Sequence, residues 1–165
     1  MHSLYAETDD WDNQLEGTEK GWPSFFRILR IYLTHFPGQR SAMMQWLAPA
    51  KGNTAQAWEA LTDALGLKGI PAGQPCAAPS GAPALSGVVE HVTQKPYNTL
   101  VRLDKPGPGA AAFGAVNFGG PTMVTLSFYL YGDDAAATVA RETPNWEAWI
   151  QEHYPMPSEP AAGEN

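Results

Sequence analysis

Apolar side chains recur at steps of three and four between Trp22 and Phe36. Trp22, Phe25, Phe26, Leu29, Tyr32, Leu33 and Phe36 make one broad stripe, and Arg27 and Arg30 fall off it. That period predicts a helix over about 22–36. Pro23 suits the first helical position, where its missing N–H has no helical partner in any case, and Pro37-Gly38 ends the element. A stripe so rich in aromatics predicts a helix laid across a sheet; the sharper alternative is that part of it lines a ligand cavity or a subunit contact. The acidic stretch Asp9–Glu19 before it reads as an arm or a shorter helix.

From Ser41 to Leu47 the pattern alternates, with Met43, Gln45 and Leu47 set against Met44 and Trp46, which predicts a short strand. After a turn at Pro49–Gly52 the helical period returns in Ala57, Trp58, Leu61, Ala64 and Leu65, predicting a helix over 54–65. Asn53 and Gln56 have the spacing of a capping box, and Gly66 is placed to cap the other end. The uncharged run GIPAGQPCAAPSGAPA, 69–84, reads as a loop that forms no regular helix or central strand.

Four strands are predicted next: Leu85–Thr93, Asn98–Leu103, Ala110–Phe118 and Thr122–Tyr131, separated by Gly- or Pro-containing turns. In the last, Val124, Leu126, Phe128 and Leu130 form one apolar face, and Thr125, Ser127, Tyr129 and Tyr131 the other. Asp133-Asp134 supply an N-cap and negative charge for a closing helix. Thr143-Pro144 predicts a break in it and a second segment over 144–153, with Trp146, Trp149, Ile150 and Tyr154 on one face. Residues 155–165 read as a disordered tail. The sum is an α+β fold: an antiparallel β-meander packed against helices, with an additional N-terminal amphipathic helix. The implied organisation is an arm and helix over 1–40, an α+β unit over 41–155 and a tail over 156–165.

Composition narrows the function. The chain has 165 residues, a net charge of −7 and only 16% charged residues, below the ~25% usual in soluble domains. An acidic surface repels phosphates, which disfavours nucleic acid and anionic membranes as partners. No apolar run is long enough to span a bilayer, and the N-terminus lacks the basic and apolar regions of a secretory signal. A cytoplasmic protein is expected. One cysteine, Cys76, excludes an internal disulfide and a Cys-based structural zinc site, and it has no nearby cation in sequence to activate it.

The four histidines, His2, His35, His91 and His153, are dispersed, with no metal-ligand pairing. Asp9, Asp10 and Asp12 lack the glycine and distal glutamate of a calcium loop. There is no nucleophile elbow and no phosphate loop, and Gly119-Gly120 reads as a hairpin turn. His91, Arg102, Asn117 and Tyr129 are the polar residues on predicted strands. Arg102 is expected to point to water and His91 to be a strand residue facing solvent. No catalytic residue, metal or cofactor is assigned.

Two segments carry a family resemblance. EGTEKGWPSFFRILRIYLTHF, Glu16–Phe36, resembles the final helix of SRPBCC (START-like, helix-grip) domains in the branch named for the activator of the 90-kDa heat-shock-protein ATPase. There a Gly-Trp pair opens a helix of regularly spaced leucines and aromatics, matched here by Gly21-Trp22 with Phe26, Leu29 and Leu33. AWEALTDALGL, Ala57–Leu67, resembles the early helix of the same fold. The two stand in reversed order. Either residues 1–36 are the closing helix of an upstream SRPBCC domain and 42–154 a second, shortened unit, or the chain is a small protein whose first helix completes its own core or a neighbour's.

The resemblance implies a curved antiparallel sheet wrapped around a long helix and an apolar cavity. Members bind lipids, polyketides or other hydrophobic ligands, some are cyclases, and the named branch acts on a chaperone. The expected function is therefore non-catalytic binding of a hydrophobic small molecule. The alternatives are a protein-interaction or chaperone-partner module, self-associating through the first helix as a homodimer, and a cyclase- or hydrolase-type enzyme. The expected cavity lining is Trp22, Phe26, Leu29 and Leu33, faced by Phe128 and Leu130, with Trp58 and Trp149 at the ends.

Overall fold

The computed structural model describes residues 23–155; the acidic arm, Trp22 and the tail at 156–165 lie outside them. The chain divides into two compact units, Met1–Pro37 and Gly38–Asn165. In the first, the described residues 23–35 are helical and form α1; where the helix begins, and with it the expected place of Pro23, lies outside the described residues. The Phe36 N–H still reaches the Tyr32 carbonyl at 2.8 Å, and Gly38 then turns the chain at φ +76°. The stripe does not bury as a whole. Of its described members Phe36 is buried and Tyr32 half-buried, whereas Phe25, Phe26, Leu29 and Leu33 are exposed; Ile31, off the stripe, is buried.

The second unit runs β1 (Ser41–Pro49), α2 (Thr54–Ala64), β2 (Pro75–Ala77), β3 (Ser86–Gln94), β4 (Tyr97–Lys105), β5 (Gly109–Val116), β6 (Met123–Tyr131) and α3 (Ala135–His153). The strands form one antiparallel sheet in the order β1-β6-β5-β4-β3-β2. The first strand thus pairs with the last, and the meander leads outward to β2. With α2 and α3 packed on the sheet, the fold is α+β and compatible with a helix-grip-like arrangement.

Local signals placed α2 correctly. The Asn53 side chain accepts from the Gln56 N–H at 3.0 Å, and the Gln56 side chain accepts from the Asn53 N–H at 3.0 Å, a complete capping box. At the other end Leu67 N–H reaches Thr62 O at 2.7 Å and Gly66 N–H reaches Asp63 O at 3.1 Å, the paired bonds of a Schellman motif. Gly66 makes that turn at φ +67°, and a Cβ there would meet the Ala77 carbonyl at 2.7 Å. Only glycine satisfies both demands.

Four expectations are corrected. The 69–84 loop contains the edge strand β2, whose Cys76 pairs with Gly87. Gly87 permits a close approach elsewhere, since a Cβ there would collide with the Arg102 carbonyl. Phe118, expected in a strand, stands 78% exposed beyond β5, in a turn tied by Asn117 to Gly119 and Gly120. Asp134 occupies the N-cap of α3 but its side chain makes no capping bond; its carbonyl accepts from Thr138 N–H instead.

Finally, α3 does not break at Pro144. Interior proline costs a helix about 3 kcal/mol. Trp146 and Trp149, buried just beyond it, remove ~150–250 Å² each from water, about 4–6 kcal/mol apiece as an upper estimate. Burial therefore outweighs the lost bond, and the helix continues.

Candidate functional site

Residues opposite one another in register share a face of the sheet. Phe128 pairs with Met44 on β1 and with Ala111 on β5, so Met44, Trp46, Ala111, Phe113, Leu126, Phe128 and Leu130 fall on one face. Trp46 is partly buried, and Phe113, Leu126, Phe128 and Leu130 are at most 1% exposed. Helix α3 sets Trp146 and Trp149 against this face at i and i+3.

An aromatic cluster results. Trp146 lies 4.7 Å from Phe128 and stacks with Trp46 at 6.4 Å, centroid to centroid. Phe128 meets Phe113 edge-on at 5.5 Å, and Trp149 meets Trp146 edge-on at 5.8 Å. Trp149 also stacks on His153 at 4.3 Å and approaches Tyr154 at 6.1 Å. Trp58 of α2 forms a separate pair with Tyr97 of β4 at 6.0 Å.

One atom in the cluster breaks the usual rule for interiors. Trp146 is 0% exposed, and its indole N–H finds no protein acceptor among the described residues. The other buried polar side chains that bear on the site are satisfied. Thr62 Oγ1 donates to Trp58 O at 2.9 Å. The Glu142 carboxylate accepts from Arg141 Nε at 2.9 Å and from Asn145 Nδ2 at 3.2 Å. An unmet buried donor costs about 1–3 kcal/mol.

Beside it, α3 carries a weak point. Pro144 is exposed and has no N–H to offer the Ala140 carbonyl, and Thr143 Oγ1 donates to Val139 O at 2.7 Å. Both features loosen the helical ladder one turn before Trp146.

The expected lining separates into groups. Phe128, Leu130, Trp58 and Trp149 are all buried in the core of the second unit; Phe128 and Trp149 belong to the cluster around Trp146. Phe26, Leu29 and Leu33 are exposed on α1 in the first unit. Trp22 lies outside the described residues. Sequence reasoning missed Trp46, Phe113 and Trp146 as members of the site. Trp146 was legible as part of a helical face, but nothing local marks its N–H as unmet.

A cavity of about 20 Å³ lies between Pro108, Leu130, Ala135 and Thr138, enough for one water molecule. Trp146 itself is wholly enclosed, with Trp46, Phe128 and Trp149 around it.

The remaining candidates take structural places. Arg102 does not simply point to water: its Nε donates to Glu90 at 2.8 Å on the sheet face opposite α2 and α3. Glu90 is the extra residue of a bulge between Val89 and His91. Burial pushes the Cys76 thiol up; a backbone hydrogen bond at Gly87 pulls against it, and the charge of Asp104 adds the smallest contribution, upward. Cys76 is thus a buried thiol with a packing role. Among the described residues no cluster of His, Cys, Asp and Glu could hold a metal ion, and no helix is long and apolar enough to cross a membrane. No protein-family model matches the chain, and no curated protein is similar enough to it to count as a match.

Proposed function

We propose that this chain is an SRPBCC-type domain that binds a hydrophobic small molecule carrying one hydrogen-bond acceptor, between the sheet and α3. The observation that carries the reading is the Trp146 N–H, wholly buried and unmet in an otherwise aromatic and aliphatic site. An acceptor brought by a ligand would satisfy it, and the surrounding rings supply the apolar contact such ligands require. Because Trp146 is wholly buried, entry requires the C-terminal half of α3 to move, and Pro144 is where the helix gives most easily. The element order, with a strand first, five strands between two helices and a long closing helix, supports the family assignment.

The test is native mass spectrometry of the purified chain against its denatured mass, followed by titration with cis-parinaric acid, an apolar fluorescent carboxylate. A small-molecule adduct lost on denaturation is the expected result. Trp146→Phe should weaken the probe about tenfold, the value of one buried hydrogen bond of ~1.4 kcal/mol. Equal binding by Trp146→Phe and the unsubstituted chain removes the basis of the proposal.

A second reading, a protein-interaction module, is favoured by the exposure of Phe25, Phe26, Leu29 and Leu33 on α1. It predicts that Phe26→Asp with Leu33→Asp abolishes association with a partner while leaving the probe affinity unchanged.

A further inference from the structure

Among the described residues strand β1 forms one edge of the sheet and is bonded only to β6. Two bonds flanking it fix which way its backbone groups face. Gly132 N–H donates to Arg40 O at 3.0 Å, and Ala50 N–H donates to Thr122 O at 2.8 Å. Both continue the β1–β6 register. In an antiparallel ladder the bonded residues alternate, so the even-numbered residues of β1 address β6. The odd-numbered ones, Ser41, Met43, Gln45, Leu47 and Pro49, direct their backbone groups outward. Pro49 fits this assignment, since its missing N–H falls on the side that β6 does not use.

Natural edge strands are usually protected by charge, bulges, interior proline or brevity. Strand β1 has none of these: SAMMQWLAP is nine residues long, uncharged and in unbroken register with β6, with its one proline at the end. Met43 and Leu47, which share the sheet face opposite α2 and α3, are each 54% exposed.

The strand is also complementary to itself. A two-fold axis through Gln45 sets Gln45 against Gln45 of a second copy, Met43 against its Leu47, and Ser41 against its Pro49. Every outward residue then meets an outward residue, the two exposed apolar side chains cover each other, and the strands run together over about 30 Å, with one bond in place of two at each Ser41–Pro49 pair because Pro49 has no N–H. The charges bordering the strand, Arg40 and Lys51, fall opposite the uncharged Ala50 and Gln39 of the second copy. On a chain of net charge −7, this uncharged edge is where two copies approach without repulsion.

We propose that β1 is a homodimerisation edge, pairing antiparallel with β1 of a second copy about Gln45 to make one continuous sheet. The proposal is independent of the ligand reading.

The test is sedimentation equilibrium of the full chain over a wide concentration range, with hydrogen exchange measured at both ends of it. A concentration-dependent dimer is expected, in which the amides of Met43, Gln45 and Leu47 become protected while those of the even-numbered residues, already bonded to β6, do not change. Met43→Lys with Leu47→Lys should abolish the dimer, and Phe26→Asp with Leu33→Asp should leave it intact. The proposal is overturned by a chain that stays monomeric at its highest soluble concentration, or by a dimer without the alternating protection. A dimer that is lost only with the α1 variant, or one that forms only with an added extended peptide, overturns it equally. If the lysine variant fails to fold, the exchange pattern of the unsubstituted chain still decides.

Discussion

Trp146 and Phe128 lie with their rings 4.7 Å apart, and the indole N–H of Trp146 meets no acceptor there. Two opposing quantities therefore set the effect of substitution. Trp146→Phe removes the unmet donor, worth about 1–3 kcal/mol, and loses packing volume of similar value. The net change in stability should stay within about 1.5 kcal/mol. Trp146→Ala keeps the relief but empties the centre of the cluster, and should cost about 3–5 kcal/mol. Urea denaturation of the two variants checks the contrast; a phenylalanine variant as unstable as the alanine variant would refute the assignment of an unmet donor.

Pro144 is exposed inside α3 and withholds a bond from Ala140. Pro144→Ala restores that N–H without touching the core. It should stabilise the fold by about 1–3 kcal/mol, and a thermal melt should move upward by several degrees. If this turn of α3 gives way to admit a ligand, the same variant should take up cis-parinaric acid more slowly at unchanged stoichiometry. Stopped-flow fluorescence separates the two effects.

What the sequence discloses here is local. Asn53, Gln56 and Gly66 act through neighbours within five residues, so the caps of α2 could be read directly. The apolar face of β6 was equally legible from its period-two pattern, whereas the burial of Ser127 and Tyr131 on its other face was not. The continuity of α3 was not, since Pro144 argues locally for a break and is overruled by tertiary burial of Trp146 and Trp149. The membership of the core was misjudged for a related reason. Periodicity marks the stripes of α1 and α3 alike as apolar, and cannot say that the rings stacked on Trp46 and Phe128 belong to α3. The pairing of β1 with β6, from Ser41 opposite Tyr131 to Pro49 opposite Met123, depends on chain topology rather than on any adjacent signal.

Gly66 closes α2 in a conformation that other residues adopt at a cost of about 1 kcal/mol. Its position against the Ala77 carbonyl adds a steric penalty that the short strand β2 must absorb. Gly66→Ala should therefore cost about 1–3 kcal/mol, and Asn53→Ala at the other end, which removes one capping acceptor, about 1 kcal/mol. Hydrogen exchange should locate the first effect at both α2 and β2 and the second at α2 alone. Confinement of the Gly66→Ala effect to α2 would mean that the contact with Ala77 does not matter.

Tyr154 stands at the end of α3, buried beside Trp149, and burial pushes its phenol up from the ordinary 10.0 to about 12. Below pH 10 the phenol is protonated in both folded and unfolded chains and contributes nothing to the pH dependence. Between pH 10 and about 12 the unfolded chain releases the proton while the folded chain retains it. The unfolded state then binds fewer protons, so stability must fall as pH rises through that window. Burial raises Tyr129 and Cys76 in the same direction, so they add to the alkaline loss, with Cys76 beginning from 9.0. Tyr154→Phe should flatten the part of the curve between pH 10 and about 12 while leaving the Cys76 contribution in place. Thermal melts across the alkaline range, paired with ultraviolet titration of tyrosinate, measure both halves of the linkage. An unchanged slope in the phenylalanine variant would show that Tyr154 ionises alike in the folded and unfolded chains.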